Sequence, residues 1–150
     1  MTDGDGFITC SQGHRHWGRF GAAGLLVVAD AGGLHVLLQH RAAWSHGGDT
    51  WGVPGGARNS AETPREAAAR ETDEETGLSG LELLDVGPHL ADHGTWTYTT
   101  FLARAPSLLA VTAQGESAEL RWVPVDDVTA LPLHPAFAKA WPALRALIPT

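Results

Sequence analysis

The chain has 150 residues, 43% hydrophobic and 18% charged, with a formal net charge of −7. That length suits one globular domain with a buried core, and the acidic balance excludes broad binding to a nucleic-acid polymer, which needs Lys and Arg to displace counterions. No apolar run approaches the roughly 18 residues of a membrane span, and Cys10, the single cysteine, excludes an intrachain disulfide and suits a reducing, cytoplasmic setting.

In chain order, residues 1–19 are polar and Gly-containing and predict a loosely held lead-in, with the main domain over residues 20–150. The lead-in has no basic stretch followed by an apolar one, which speaks against a secretory signal. It does carry Cys10-x3-His14-x-His16, three metal-capable side chains that match zinc-finger spacing poorly and read better as surface residues. Apolar runs at 25–28 and 34–38 flank Asp30-Ala31-Gly32-Gly33, a hairpin signal. The following loop holds Gln39, Arg41 and Trp44 as candidate pocket residues. Arg41 would meet a phosphate and Trp44 a base face, with ordinary packing as the alternative for Trp44.

Trp51-Gly52-Val53-Pro54-Gly55-Gly56 reads as a rigid turn around at most a short strand. Thr63-Pro64-Arg65-Glu66 supplies an N-cap, Pro at N1 and Glu at N3, so a helix over 64–76 is predicted, closed by Gly77 at C′. Strands are expected at 81–86, 96–103 and 120–123, with a short candidate at 108–112. Trp96 and Tyr98 would share one strand face, either stacking on a base or packing in the core. Pro135 opens a second helix with Phe137, Trp141, Leu144 and Ile148 at helical spacing, and Pro142 within it predicts a kink or restart. Strands interleaved with two helices make an α/β domain.

The helix over 64–76 has a weak apolar face, with Ala68, Ala69, Thr72 and Thr76 as its candidates for burial. It also holds Glu71, Glu74 and Glu75. At 100° per residue, Glu75 lies about 40° from Glu71 and Glu74 about 60° to the other side. Like charges so placed repel. A solvated acidic stripe relieved by Arg65 and Arg70 is one reading. A hard divalent cation supplying the missing positive charge is the other.

What precedes the helix favours the cation. Gly56-x5-Glu62-x7-Arg70-Glu71-Thr72-x-Glu74-Glu75-x-Gly77-Leu78 resembles the Nudix box, and Trp51 to Gly55 is similar to the run that usually precedes it. Thr72 departs from the pattern, standing at an aliphatic packing position. The resemblance implies a Nudix-type α/β/α sandwich with a mixed β-sheet between helices. It also implies Mg²⁺- or Mn²⁺-dependent hydrolysis of a phosphoanhydride bond in a small nucleotide-type diphosphate, a nucleoside triphosphate first among the candidates. On the same basis the Gly55 carbonyl, Glu71, Glu74, Glu75 and Glu116 would hold metal, with Glu119 as the alternative to Glu116. Arg70 would orient a box carboxylate, Glu62 would brace the loop or support the metal indirectly, and Glu74, Glu75 or Glu116 would act as base. Gly56, Arg41, Trp44 and His134 would meet substrate. A homodimer stays open. The rival reading is a catalytically silent Nudix fold used as a binding or regulatory module, and the intact set Arg70, Glu71, Glu74 and Glu75 argues against it.

Overall fold

Alternation along one long strand organises the molecule. In the computed structural model, which describes residues 3–43, 48–115 and 117–149, β3 spans Ala22–Asp30 and is buried at every residue but Asp30. Two short strands precede it, β1 (Phe7–Thr9) and β2 (Arg15–Trp17). After it come β4 (Leu34–Arg41), β5 (Trp51–Gly52), β6 (Gly55–Ala57) and the helix α1 (Pro64–Thr76). The chain continues through β7 (Glu82–Leu83), β8 (His89–Asp92), β9 (Thr97–Arg104), β10 (Ser117–Pro124), a 3₁₀ turn (Val125–Ala130) and α2 (Pro135–Leu147). The main sheet runs β10-β4-β3-β9-β7, with β5 on β4, β6 on β3 and β8 on β9. It is mixed: β3 and β9 are parallel, and the other pairs are antiparallel.

Because strand side chains alternate faces, Leu26 and Val28 of β3 join Val36, Leu38 and Leu102 beneath Phe137, Trp141 and Leu144 of α2. Ala23, Leu25, Val27 and Ala29 point the other way, to Ala67 and Ala68 of α1. The result is a helix on each face of the sheet, the expected sandwich. Small residues on the α1 side allow close approach of helix and strand.

Helix α1 has the predicted bounds and caps. Thr63 Oγ1 accepts from Glu66 N–H at 3.1 Å, Thr63 N–H donates to Glu66 Oε1 at 2.9 Å, and Gly77 adopts φ 78° with its N–H on Asp73 O. Its buried face is Ala67, Ala68, Thr72, Glu75 and Thr76, whereas Ala69 is exposed. The helix is thus turned so that a carboxylate, not Ala69, faces the protein.

Other elements differ from the sequence expectations. The lead-in is not loose: β1 and β2 pair as a hairpin, tied to the loop before α1 by Gly4 N–H on Asn59 Oδ1 and Ser60 N–H on Asp3 Oδ1. The strand expected over 81–86 shrinks to Glu82–Leu83 at the sheet edge, shortly before Gly87-Pro88. Residues 108–112 form no strand; Leu109 O instead accepts from Trp122 Nε1 at 3.0 Å. Strand β8 escaped the sequence reading because His89–Asp92 is only four residues long and gains its order from pairing with β9. Helix α2 passes through Pro142 unbroken. Pro142 is exposed, so the carbonyl that loses its helical donor can be solvated while the opposite face stays packed.

Thr72, at the position where an aliphatic side chain was expected, is 1% exposed, and its Oγ1 has no hydrogen-bond partner among the described residues. An unpaired buried hydroxyl costs about 1–3 kcal/mol. Thr72→Val keeps the shape and removes the hydroxyl, so it should raise unfolding free energy by about 1 kcal/mol in urea titration. A loss of stability would show that the hydroxyl is satisfied in solution.

Candidate active site

The loop entering α1 is built around Arg70. Its Nε and Nη2 fork onto Glu62, at 2.6 Å to Oε2 and 2.9 Å to Oε1, and Nη2 also donates to Ala57 O at 3.0 Å. Glu62 in turn accepts from Asn59 N–H at 2.9 Å. The guanidinium beside Glu62 holds that carboxyl below its ordinary range. The fork therefore braces the loop. The remaining Arg70 donor, Nη1, reaches Glu71 Oε1 at 3.0 Å and Glu74 Oε1 at 3.2 Å. Arg70 thus forks onto the box carboxylate Glu62 and holds two more, Glu71 and Glu74, with single bonds.

Glu75 lies deeper. It is 7% exposed and accepts from Gly55 N–H at 3.0 Å. Burial first, and then the neighbouring Glu71 charge, pushes its pKa up to about 8, against relief from the Gly55 bond, a Gln39 hydrogen bond and the Arg41 charge. Glu71 is likewise raised, chiefly by burial. The glycines make this closeness achievable. A Cβ at Gly56 would lie 2.5 Å from the Glu71 carboxyl carbon, and one at Gly55 would strike Ala23 O at 2.5 Å and the Tyr98 hydroxyl at 2.6 Å. Two mutually repelling, half-desolvated carboxylates, with Glu74 beside them and all donors oxygen, fit a hard divalent cation.

These groups face a cleft of about 600 Å³ that also meets Arg41, His134, Trp96 and Tyr98. Arg41 ends β4 and His134 caps α2, its Nδ1 accepting from Ala136 N–H at 3.1 Å. Tyr98 lodges its hydroxyl over the Gly24–Gly55 crossing. Trp96 donates Nε1–H to Gly18 O at 2.9 Å, and His16 covers one ring face at 4.0 Å, so that face is closed to a base. Glu119 is half-exposed and paired with Arg121, away from the cleft lining. Trp44 and Glu116 lie outside the described residues. The sequence reading missed Asp5, Arg15, Trp17, His89 and His93, all on the cleft wall. Folding back of the hairpin and of β8 brings them there, and no local motif signals it.

The NUDIX domain family model matches residues 18–147. The chain belongs to the Nudix hydrolase family. It is 52% identical, over 95% of its own length and 70% of the relative's, to a Mycobacterium tuberculosis protein with the provisional name 8-oxo-dGTP diphosphatase 3. A nucleoside triphosphate pyrophosphatase/Nudix hydrolase fusion protein of Bifidobacterium longum is 41% identical, matching 95% of this chain and 31% of that one. The crystal structure of RenU, a Nudix hydrolase of M. smegmatis, superposes with a TM-score of 0.88 at 48% identity, covering 98% of each chain. Among the described residues no helix of this Nudix hydrolase is long and apolar enough to cross a membrane.

The Glu75 environment has a measurable consequence. A free glutamate titrates near 4.5 and Glu75 in the fold near 8, so between these values the folded chain keeps a proton that the unfolded chain has lost. The contribution is fully present below pH 4.5 and is lost as pH rises through 8. The metal-free parent should therefore lose melting temperature relative to Glu75→Gln across that window. A parent-minus-variant difference that stays flat with pH would refute the raised pKa.

Proposed function

We propose that this Nudix hydrolase cuts a nucleoside triphosphate with water to the monophosphate and pyrophosphate, using Mg²⁺ or Mn²⁺. The observation that carries the reading is the convergence of Glu71, Glu74 and Glu75 beside Gly55 and Gly56 at the floor of a nucleotide-sized cleft. The provisional name of the 52% identical relative supports a nucleoside triphosphate, oxidised dGTP included.

In this reading the Gly55 carbonyl, Glu71, Glu74, Glu75 and Glu116 hold the metal. When bound, a divalent ion offsets charge on phosphoryl oxygens and lowers the pKa of water. Arg70 holds Glu71 and Glu74 in place, so their charges are oriented before substrate arrives. Gly55 N–H and Gln39 fix Glu75. Arg41 meets a phosphate oxygen, Gly56 leaves room for the phosphate chain, and His134 and Trp44 meet the base end. One of Glu74, Glu75 and Glu116 accepts the proton of the attacking water.

The test is a pyrophosphate-release screen over a nucleotide panel, oxidised dGTP among them, with Mg²⁺ and then Mn²⁺. Activity should vanish with chelator and return with either ion. Glu74→Gln and Glu75→Gln should each lower kcat at least roughly a hundredfold, since each ~1.4 kcal/mol of lost transition-state stabilisation is tenfold in rate. Substrate affinity should change far less. Tight nucleotide binding with no pyrophosphate or phosphate released under either metal would favour a binding module instead.

A further inference from the structure

We propose that Cys10, His14, His16 and His93 form a zinc site that fastens the N-terminal hairpin to the turn between β8 and β9. The four side chains come from two separate loops, yet one ligand atom from each lies within 4.8 Å of all the others. The hairpin loop brings the first three together. Gly13 N–H on Cys10 O and Cys10 N–H on His14 O close a tight turn, and His16 follows two residues after His14, within β2. His93 comes from the opposite side, where its N–H bonds Trp96 O at 2.8 Å and Asp92 Oδ1 accepts from Gly94 N–H. The loops already touch, through Ser11 N–H on Thr95 Oγ1 at 2.9 Å and Ser11 Oγ on His93 O at 3.3 Å.

The chemistry of this set differs from that of the glutamate site. One thiol and three imidazoles supply the four nitrogen and sulfur donors that a closed tetrahedral zinc centre needs. No carboxylate takes part. Tetrahedral zinc needs ligand atoms about 3.4 Å apart, which small side-chain rotations achieve from the present spacing. The rings already stand close, with His16 and His93 at 4.6 Å and His14 and His93 at 5.9 Å between centroids. The Nδ1 of His93 is buried without a hydrogen-bond partner among the described residues, a state that a metal bond would relieve. Cys10 is 4% exposed, which suits a ligand better than a reactive surface thiol.

Binding releases one proton, from the Cys10 thiol, and leaves a local charge of +1 from Zn²⁺ and one thiolate. The site stands in the cleft wall, since His16, His93 and Trp96 line the cleft together with Arg15 and Trp17. Zinc would therefore stiffen the wall facing the glutamates and make it more positive. None of this depends on the hydrolysis proposed above.

Cobalt titration of the reduced, metal-stripped full chain tests the assignment. One equivalent of Co²⁺ should produce intense tetrahedral visible bands and a thiolate-to-cobalt charge-transfer band, both displaced by Zn²⁺. Both should persist in the Glu74→Gln/Glu75→Gln double variant. Cys10→Ser should abolish the charge-transfer band, and His14→Asn, at an exposed position that leaves the fold intact, should weaken affinity at least about tenfold. Zinc should raise the melting temperature of the parent more than that of His14→Asn. Weak octahedral bands, no binding at all, or affinity equal in the parent and His14→Asn would overturn the proposal.

Discussion

Burial of the Glu75 carboxylate between α1 and the Gly55 turn sets the terms for the surrounding structure, because a desolvated charge must find partners or cease to be a charge. Its three partners come from two strands. Gly55 N–H belongs to the β6 turn, Gln39 to β4, and the Arg41 charge to the end of the same strand. Gln39 is itself 1% exposed and accepts from Ser117 Oγ in β10. One buried carboxylate therefore connects the helix, the glycine turn and two strands. Any shift of α1 along the sheet would break these bonds together.

The sandwich makes that placement sturdy. Alternate residues of β3 serve opposite cores, so the strand is locked from both faces and its N-terminal half becomes a fixed floor for the glycine turn. Leu25 N–H reaches Pro54 O at 3.0 Å, and Gly24 pairs with Gly55. Alanines between α1 and the sheet allow the helix to come close enough for Glu75 to meet Gly55. A larger apolar face on α1 would hold the helix more tightly and leave its carboxylates further from the turn.

The glutamate group and the hairpin group beside the cleft obey different chemistry. In the glutamate group all donors are oxygen and the charge is negative, with Arg70 already committed to Glu62, Glu71 and Glu74. The hairpin group consists of imidazoles, a thiol and an indole, and among them His16 and Trp96 stack nearly parallel, 5° between planes. The hairpin is fastened to the same loop that Arg70 braces, through Asp3 on Ser60 and Gly4 on Asn59, so the two groups are mechanically joined.

Much of the helix and its chemistry was legible without coordinates. The capping box, Pro64 at N1 and Gly77 at C′ act through neighbours within four residues, and the spacing of Glu71, Glu74 and Glu75 follows from helical period alone. The bounds of α1 follow from those local rules, and the family resemblance from the same residues. The hairpin of β3 and β4 and the apolar face of α2 were readable for the same reason. Long-range matters were not. Ala69 was expected in the buried face and Ala67 was not, and the reverse holds because the helix rotation is the one that brings Glu75 onto Gly55, twenty residues earlier. Strands as short as β8 carry no signal because their order comes from a partner. His93 lies 77 positions after His16, and pairing of β8 with β9 and docking of the hairpin bring the two rings to 4.6 Å. Local pattern thus determined which residues could do chemistry, and tertiary packing decided which of them meet, because sheet pairing joins segments that sequence spacing keeps apart.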